Sequence, residues 1–214
     1  ENENPDSRFY QKVDEEHIGI SGHSQGGVGV FNAINEQPHG SLYTCAVSLS
    51  PTQLDLAEAL NMHYEPDKTN IPVFLLAATE SDVITPDGAK QLYDAVKNDK
   101  AVALRNGMDH GKMLYSADGY VTAWFMWYLK GDTDAAKVFT GDAPELLRNQ
   151  LYQEQQIDIS CINCDSRRNC VKLTQFLLVR SKQGLGQARP NKITWKTRKS
   201  LRSEVPDGQE IFKN

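Results

Sequence analysis

The stretch HIGISGHSQGGVGVFNAI, residues 17 to 34, constrains this chain more than any other. Residues 17 to 22 read as a short buried strand, and residues 25 to 36 carry the pattern of a helix. Between them lies Gly22-His23-Ser24-Gln25-Gly26, a match to G-x-S-x-G. A strand that turns at once into a helix forces the intervening residue into a strained conformation, and glycines two positions either side let neighbouring backbone pass close by. The Ser24 hydroxyl would then stand at the carboxyl end of a sheet, above a helix N-terminus. There the Gln25 amide could donate to an oxyanion, and the helix dipole favours negative charge. A lone G-x-S-x-G also suits an ordinary tight turn or a phosphate-binding turn, so the chemistry has to be sought in the rest of the chain.

The elements that follow alternate. Residues 43 to 50 (YTCAVSLS) form a second strand pattern ended by Pro51, and residues 53 to 60 a short helix. PVFLLAAT, residues 72 to 79, is nearly continuous in apolar residues, as expected of a strand in a parallel sheet covered on both faces. Thr85 then reads as an N-cap with Pro86 at the first helical position, opening a helix to about Val96. Residues 101 to 104 supply a fourth strand. A helix from about Ser116 to Lys130 would present Val121, Trp124, Phe125, Tyr128 and Leu129 on one face, with Gly131 as its stop. Residues 132 to 139 and 143 to 151 suggest two more short helices. Strands alternating with helices of this length predict an α/β fold with right-handed crossovers and a parallel sheet.

Two of the predicted loops carry groups that could serve the serine. After the third strand comes Glu80-Ser81-Asp82-Val83, and after the fourth Gly107-Met108-Asp109-His110-Gly111. The order serine, acid, histidine, each on a loop following its own strand, is the order in which a strand-to-helix serine recruits its partners. His110 would take the Ser24 proton and return it to a leaving group, while Asp82 would hold the imidazole in one tautomer. Asp82 is the favoured acid and Glu80 the runner-up. Asp87 reads as a first-turn helix residue, and Asp109 adjoins the histidine, so its side chain should project elsewhere. His23 reads as a support of the turn, and His17, His39 and His63 as ordinary strand-end and loop residues. Trp124 and Trp127 read as core.

Charge divides the chain. Residues 1 to 160 hold 11 Lys+Arg against 24 Asp+Glu, whereas residues 161 to 214 hold 12 against 4. Cys45 stands alone in the first part, and Cys161, Cys164 and Cys170 cluster in the second. A boundary near residue 160 is therefore expected, with one domain before it and a basic tail of low order after it. The three clustered cysteines lack a fourth ligand at fitting spacing, so a metal site is not expected. The basic tail has charge for phosphate contacts and Trp195 for stacking, but a solvated tail accounts for it better than nucleic-acid binding. No apolar run is long enough to span a bilayer. The compartment is left open.

GHSQGG, TESDVITP and MDHGKMLYSADGYVTAWFMWYLKGD together resemble the serine esterases of the α/β-hydrolase superfamily. The likeness is nearest to the dienelactone-hydrolase-like and cutinase-like branch that includes polyester hydrolases, and it covers about residues 14 to 140. It implies hydrolysis of a small or polymeric ester through an acyl-enzyme, with neither metal nor organic cofactor. It also implies that residues 17 to 130 match strands five to eight of that fold, so that the chain is a C-terminal fragment. The loop supplying a second oxyanion donor would then be missing, and HIGISG would present an unpaired apolar edge open to self-association. The first part departs from secreted polyesterases in having a single cysteine, hence no internal disulfide. The alternatives are a hydrolase-like fold without catalysis and an interaction module built on the basic tail.

Overall fold

Successive residues of a strand point to opposite faces, so strands apolar at nearly every position give a sheet two dry faces, and here both are covered. The computed structural model describes residues 1 to 160. It is an α/β fold whose elements run β1 (Ile18–His23), α1 (Gln25–Asn35), β2 (Tyr43–Leu49), α2 (Leu54–Ala59), β3 (Val73–Glu80), α3 (Pro86–Ala95), β4 (Lys100–Asp109), α4 (His110–Ser116), α5 (Asp118–Lys130), α6 (Thr133–Ala136) and β5 (Tyr152–Asp158). The expectations for the basic tail and for Cys161, Cys164 and Cys170 fall outside the described residues.

The strands lie in chain order, β1-β2-β3-β4-β5. The first three pairings are parallel, and β5 runs antiparallel to β4. Strands added successively on one side through crossovers of one hand bring every crossover helix to the same face. Accordingly Phe31 and Ile34 of α1, Ala57 of α2 and Leu92 of α3 pack on Ala46, Val73, Leu75, Val102 and Leu104. The alternate residues Cys45, Val47, Phe74, Leu76, Ala101 and Ala103 face the other way, against Met113 of α4 and Tyr120 and Trp124 of α5. On that face Trp124 is fully buried, with ring centroids 5.4 Å from Phe74 and 4.9 Å from Phe139. Each such aromatic pair adds about 0.5–1.5 kcal/mol beyond its area. Cys45 lies inside the same layer, where burial pushes its thiol up to about 12.

Thr85 caps α3 by accepting from the Gly88 amide, Pro86 follows it, and Gly131 ends α5 in the left-handed region, all as the sequence predicts. The helix expected from about Ser116 to Lys130 is α5, which starts after Ala117, while α4, ending at Ser116, is an element the sequence does not predict. Ser116 Oγ donates to the Lys112 carbonyl one turn back, a bond that competes with the helical ladder. Residues 143 to 151 form a single 3-10 turn, Leu146–Arg148, because the Asn149 side chain accepts from the Leu151 amide and turns the chain. The strand β5 follows, unanticipated since YQEQQID has almost no apolar alternation.

The two edges of the sheet differ. β5 carries one extra residue opposite β4, with Glu154 at φ 53°, a bulge that blunts an edge against further pairing. At the other edge β1 pairs with β2 alone among the described strands, its Ile18 and Ile20 half-buried. No helix of the described residues is long and apolar enough to cross a membrane.

Candidate functional site

Ser24 joins β1 to α1 with φ 62° and ψ −123°, a conformation L-residues rarely adopt. The turn is held from both sides. The Ser24 amide donates to the Leu49 carbonyl of β2 (3.0 Å), and the Ser24 carbonyl accepts from the amides of Gly27 (2.9 Å) and Val28 (3.3 Å). Ser24 occupies the N-cap position, yet its side chain makes no capping bond, so the hydroxyl is not spent on the helix. Gln25, the first helical residue, has no intrahelical acceptor for its amide.

The two flanking glycines act differently from the sequence expectation. A Cβ on Gly22 would fall on the Gly26 carbonyl well inside 3.0 Å, and 3.1 Å from the Gly26 Cα, so the close approach is made at Gly22. A Cβ on Gly26 would meet nothing within 4 Å. Gly27 is the second tight position of the turn: a Cβ there would stand 3.0–3.1 Å from Ser48 Oγ, the Leu49 carbonyl and Pro51 Cα.

His110 reaches this turn from β4, three strands away, or about 14 Å at the usual strand spacing. Beyond Arg105 the β4 backbone gains two residues on β3, pairing Asp109 with Glu80, and Gly107 takes φ 66°. The Gly107 amide donates to Thr79 Oγ1 at 2.9 Å. This irregularity swings the start of α4 over the rim. His23 Nε2 lies 2.8 Å from the His110 carbonyl, and the two imidazole centroids are 4.5 Å apart. The structure therefore brings His110 beside the residue that precedes Ser24.

Asp82 sits in the turn after β3 with its carboxylate exposed. Burial holds the His110 pKa below its ordinary 6.5, the neighbouring charge of His23 adds to this, and Asp82 and Asp109 pull the other way. Among the described residues, however, His110 Nδ1 is buried with no hydrogen-bond partner. Asp82 thus acts on the imidazole through charge and not through a bond. Asp109 is committed elsewhere, accepting from the Lys112 amide and pairing with its ammonium, both at 2.8 Å, an arrangement that holds its carboxyl below the usual range. Glu80 bears on Lys112 rather than on His110. Asp87 lies in the first turn of α3.

One rim residue carried no sequence signal. Ser50, at the end of β2, is fully buried with φ 40° and a hydroxyl without a partner. A serine before a proline gives no hint of that. Elsewhere, a surface groove of about 380 Å³ between α5 and β5 is lined by Arg105, Tyr120, Asn149 and Tyr152 among others, but by none of Ser24, Asp82 and His110. The described residues hold no cluster of three or more His, Cys, Asp or Glu side chains placed to bind a metal ion.

No family model matches this chain, and no curated protein matches it significantly.

Proposed function

We propose that the chain is a serine hydrolase of carboxylic esters, small or polymeric, acting through an acyl-enzyme. Ser24 is the nucleophile, His110 the base, Asp82 the acid, and the Gln25 amide an oxyanion donor. Gly22, His23 and Gly26 complete the turn. The four parallel strands with their helices are read as strands five to eight of an α/β-hydrolase, in keeping with the sequence likeness to the cutinase-like branch.

In the first half-reaction Ser24 Oγ bonds to the ester carbonyl carbon while the His110 imidazole takes its proton. The carbon–oxygen bond to the alcohol then breaks, and that proton leaves with the alcohol. Water repeats the sequence against the acyl-serine and restores the hydroxyl. No metal or organic cofactor takes part in these steps.

The observation that carries this reading is the strained Ser24, its hydroxyl uncommitted, with His110 drawn to its immediate neighbour from the far side of the sheet. A competing reading, a hydrolase-like fold without catalysis, draws on the unpartnered His110 Nδ1. A fluorophosphonate probe separates the two. The proposal expects stoichiometric labelling at Ser24, read by peptide mass spectrometry, and its loss in Ser24→Ala and His110→Ala. A Ser24→Ala chain labelled as well as the parent would remove the nucleophile.

A further inference from the structure

We infer that His23 is a positioning residue for His110: its Nε2–H, bonded to the His110 carbonyl, clamps the start of α4 so that the His110 imidazole stands at the Ser24 turn. The inference rests on the reading of Ser24 and His110 as nucleophile and base.

A carbonyl oxygen only accepts, so the 2.8 Å contact requires His23 to carry its proton on Nε2. The bond joins residues 87 apart in sequence across the full width of the parallel sheet. It is placed where the backbone needs holding. The segment before His110 slips by two residues against β3 through Gly107 at φ 66° and is paired again only at Asp109, so beyond that residue the ladder no longer fixes the chain. The imidazoles are tilted by 31° with centroids 4.5 Å apart, so His23 also covers one face of the His110 ring. Since His23 precedes Ser24 directly, the base is tied to the nucleophile through a single peptide unit. A displacement of about 1 Å at such a site costs up to roughly 100-fold in rate.

Two substitutions separate the clamp from mere packing. His23→Gln keeps an N–H at about the reach of Nε2, and His23→Phe keeps a ring without a donor. Hydrolysis of p-nitrophenyl acetate gives kcat and KM, fluorophosphonate labelling reports Ser24, and thermal melts report the fold. Losing the bond in His23→Phe is expected to lower kcat about tenfold with KM little changed, while His23→Gln stays within about threefold of the parent. The groups bearing on His110 are His23, Asp82 and Asp109, so both variants lose the same neighbouring charge and the acid limb of kcat should rise in pH in both. An unchanged kcat in His23→Phe, an equal fall in His23→Gln, or a lower Tm with unaltered kcat overturns the clamp while Ser24 labelling leaves the hydrolase reading intact. A parent chain that no probe labels at Ser24 overturns both.

Discussion

Replacing Gly22 by alanine should damage the Ser24 turn far more than the same change at Gly26, though both glycines belong to one G-x-S-x-G. At Gly22 the new methyl group meets the Gly26 carbonyl, which is backbone and cannot rotate aside. Nor can α1 retreat. Its first turn is pinned by the bonds from Gly27 and Val28 to the Ser24 carbonyl, and the space beside Gly27 is so tight that even a Cβ there would stand 3.0–3.1 Å from Ser48, Leu49 and Pro51. With relaxation blocked, the cost belongs at the upper end of the overpacking range, about 3 kcal/mol. In a chain of this size that is a fall in Tm of about 6–12 °C. At Gly26 the methyl group meets nothing within 4 Å, and alanine in a helix is favoured over glycine by about 0.5–1 kcal/mol. Gly26→Ala should therefore hold Tm or raise it by about 2–4 °C. Thermal and urea unfolding followed by far-ultraviolet circular dichroism measure both, with fluorophosphonate labelling alongside. Equal Tm values for the two variants, or a Gly22→Ala chain that melts and labels like the parent, would refute the close approach on which the turn is argued to depend.

Two other outcomes follow from the same rim. Glycine at position 24 accepts φ 62° freely, so Ser24→Gly relieves about 1–3 kcal/mol of strain and gives back about 0.4–1 kcal/mol in unfolded-chain entropy; a net gain of about 1 kcal/mol should appear as a higher urea midpoint, and labelling should vanish. His110 titrates below its ordinary 6.5, chiefly through burial, so the unfolded chain takes the proton first; the stability difference between the parent and His110→Asn should hold steady above pH 6.5 and move against the parent as pH falls below it, and the acid limb of labelling should have its midpoint below 6.5.

Much of the fold was legible because its signals are local. PVFLLAAT could hardly be other than a doubly covered strand, and Thr85-Pro86 and Gly131 mark helix ends through chemistry contained within a few residues. At the candidate site, backbone logic reached the strained turn at Ser24, whereas His110, expected on a loop, opens α4 directly after β4. What escaped depends on partners distant in sequence. β5 is a strand because β4 offers it an open edge, and its own residues say little. Gly26 looked equivalent to Gly22, and only the direction of the missing Cβ separates them. The bond from His23 to the His110 carbonyl, and the lack of one at His110 Nδ1, turn on the two-residue slip of β4 against β3 before α4 begins, which no spacing encodes.

The coincidence of spatial and chain order in the sheet sets a schedule for folding. Each parallel strand can dock on the one made just before it, so no early strand waits for a late one to be inserted beside it. Loop closure is then incurred in short instalments of one crossover each. The contact between His23 and His110 is the exception, since it spans every instalment and cannot form until β4 has docked. The rim that would do chemistry is in this sense the last part of the parallel strands to acquire its shape, and the first to lose it when the β4 end comes away.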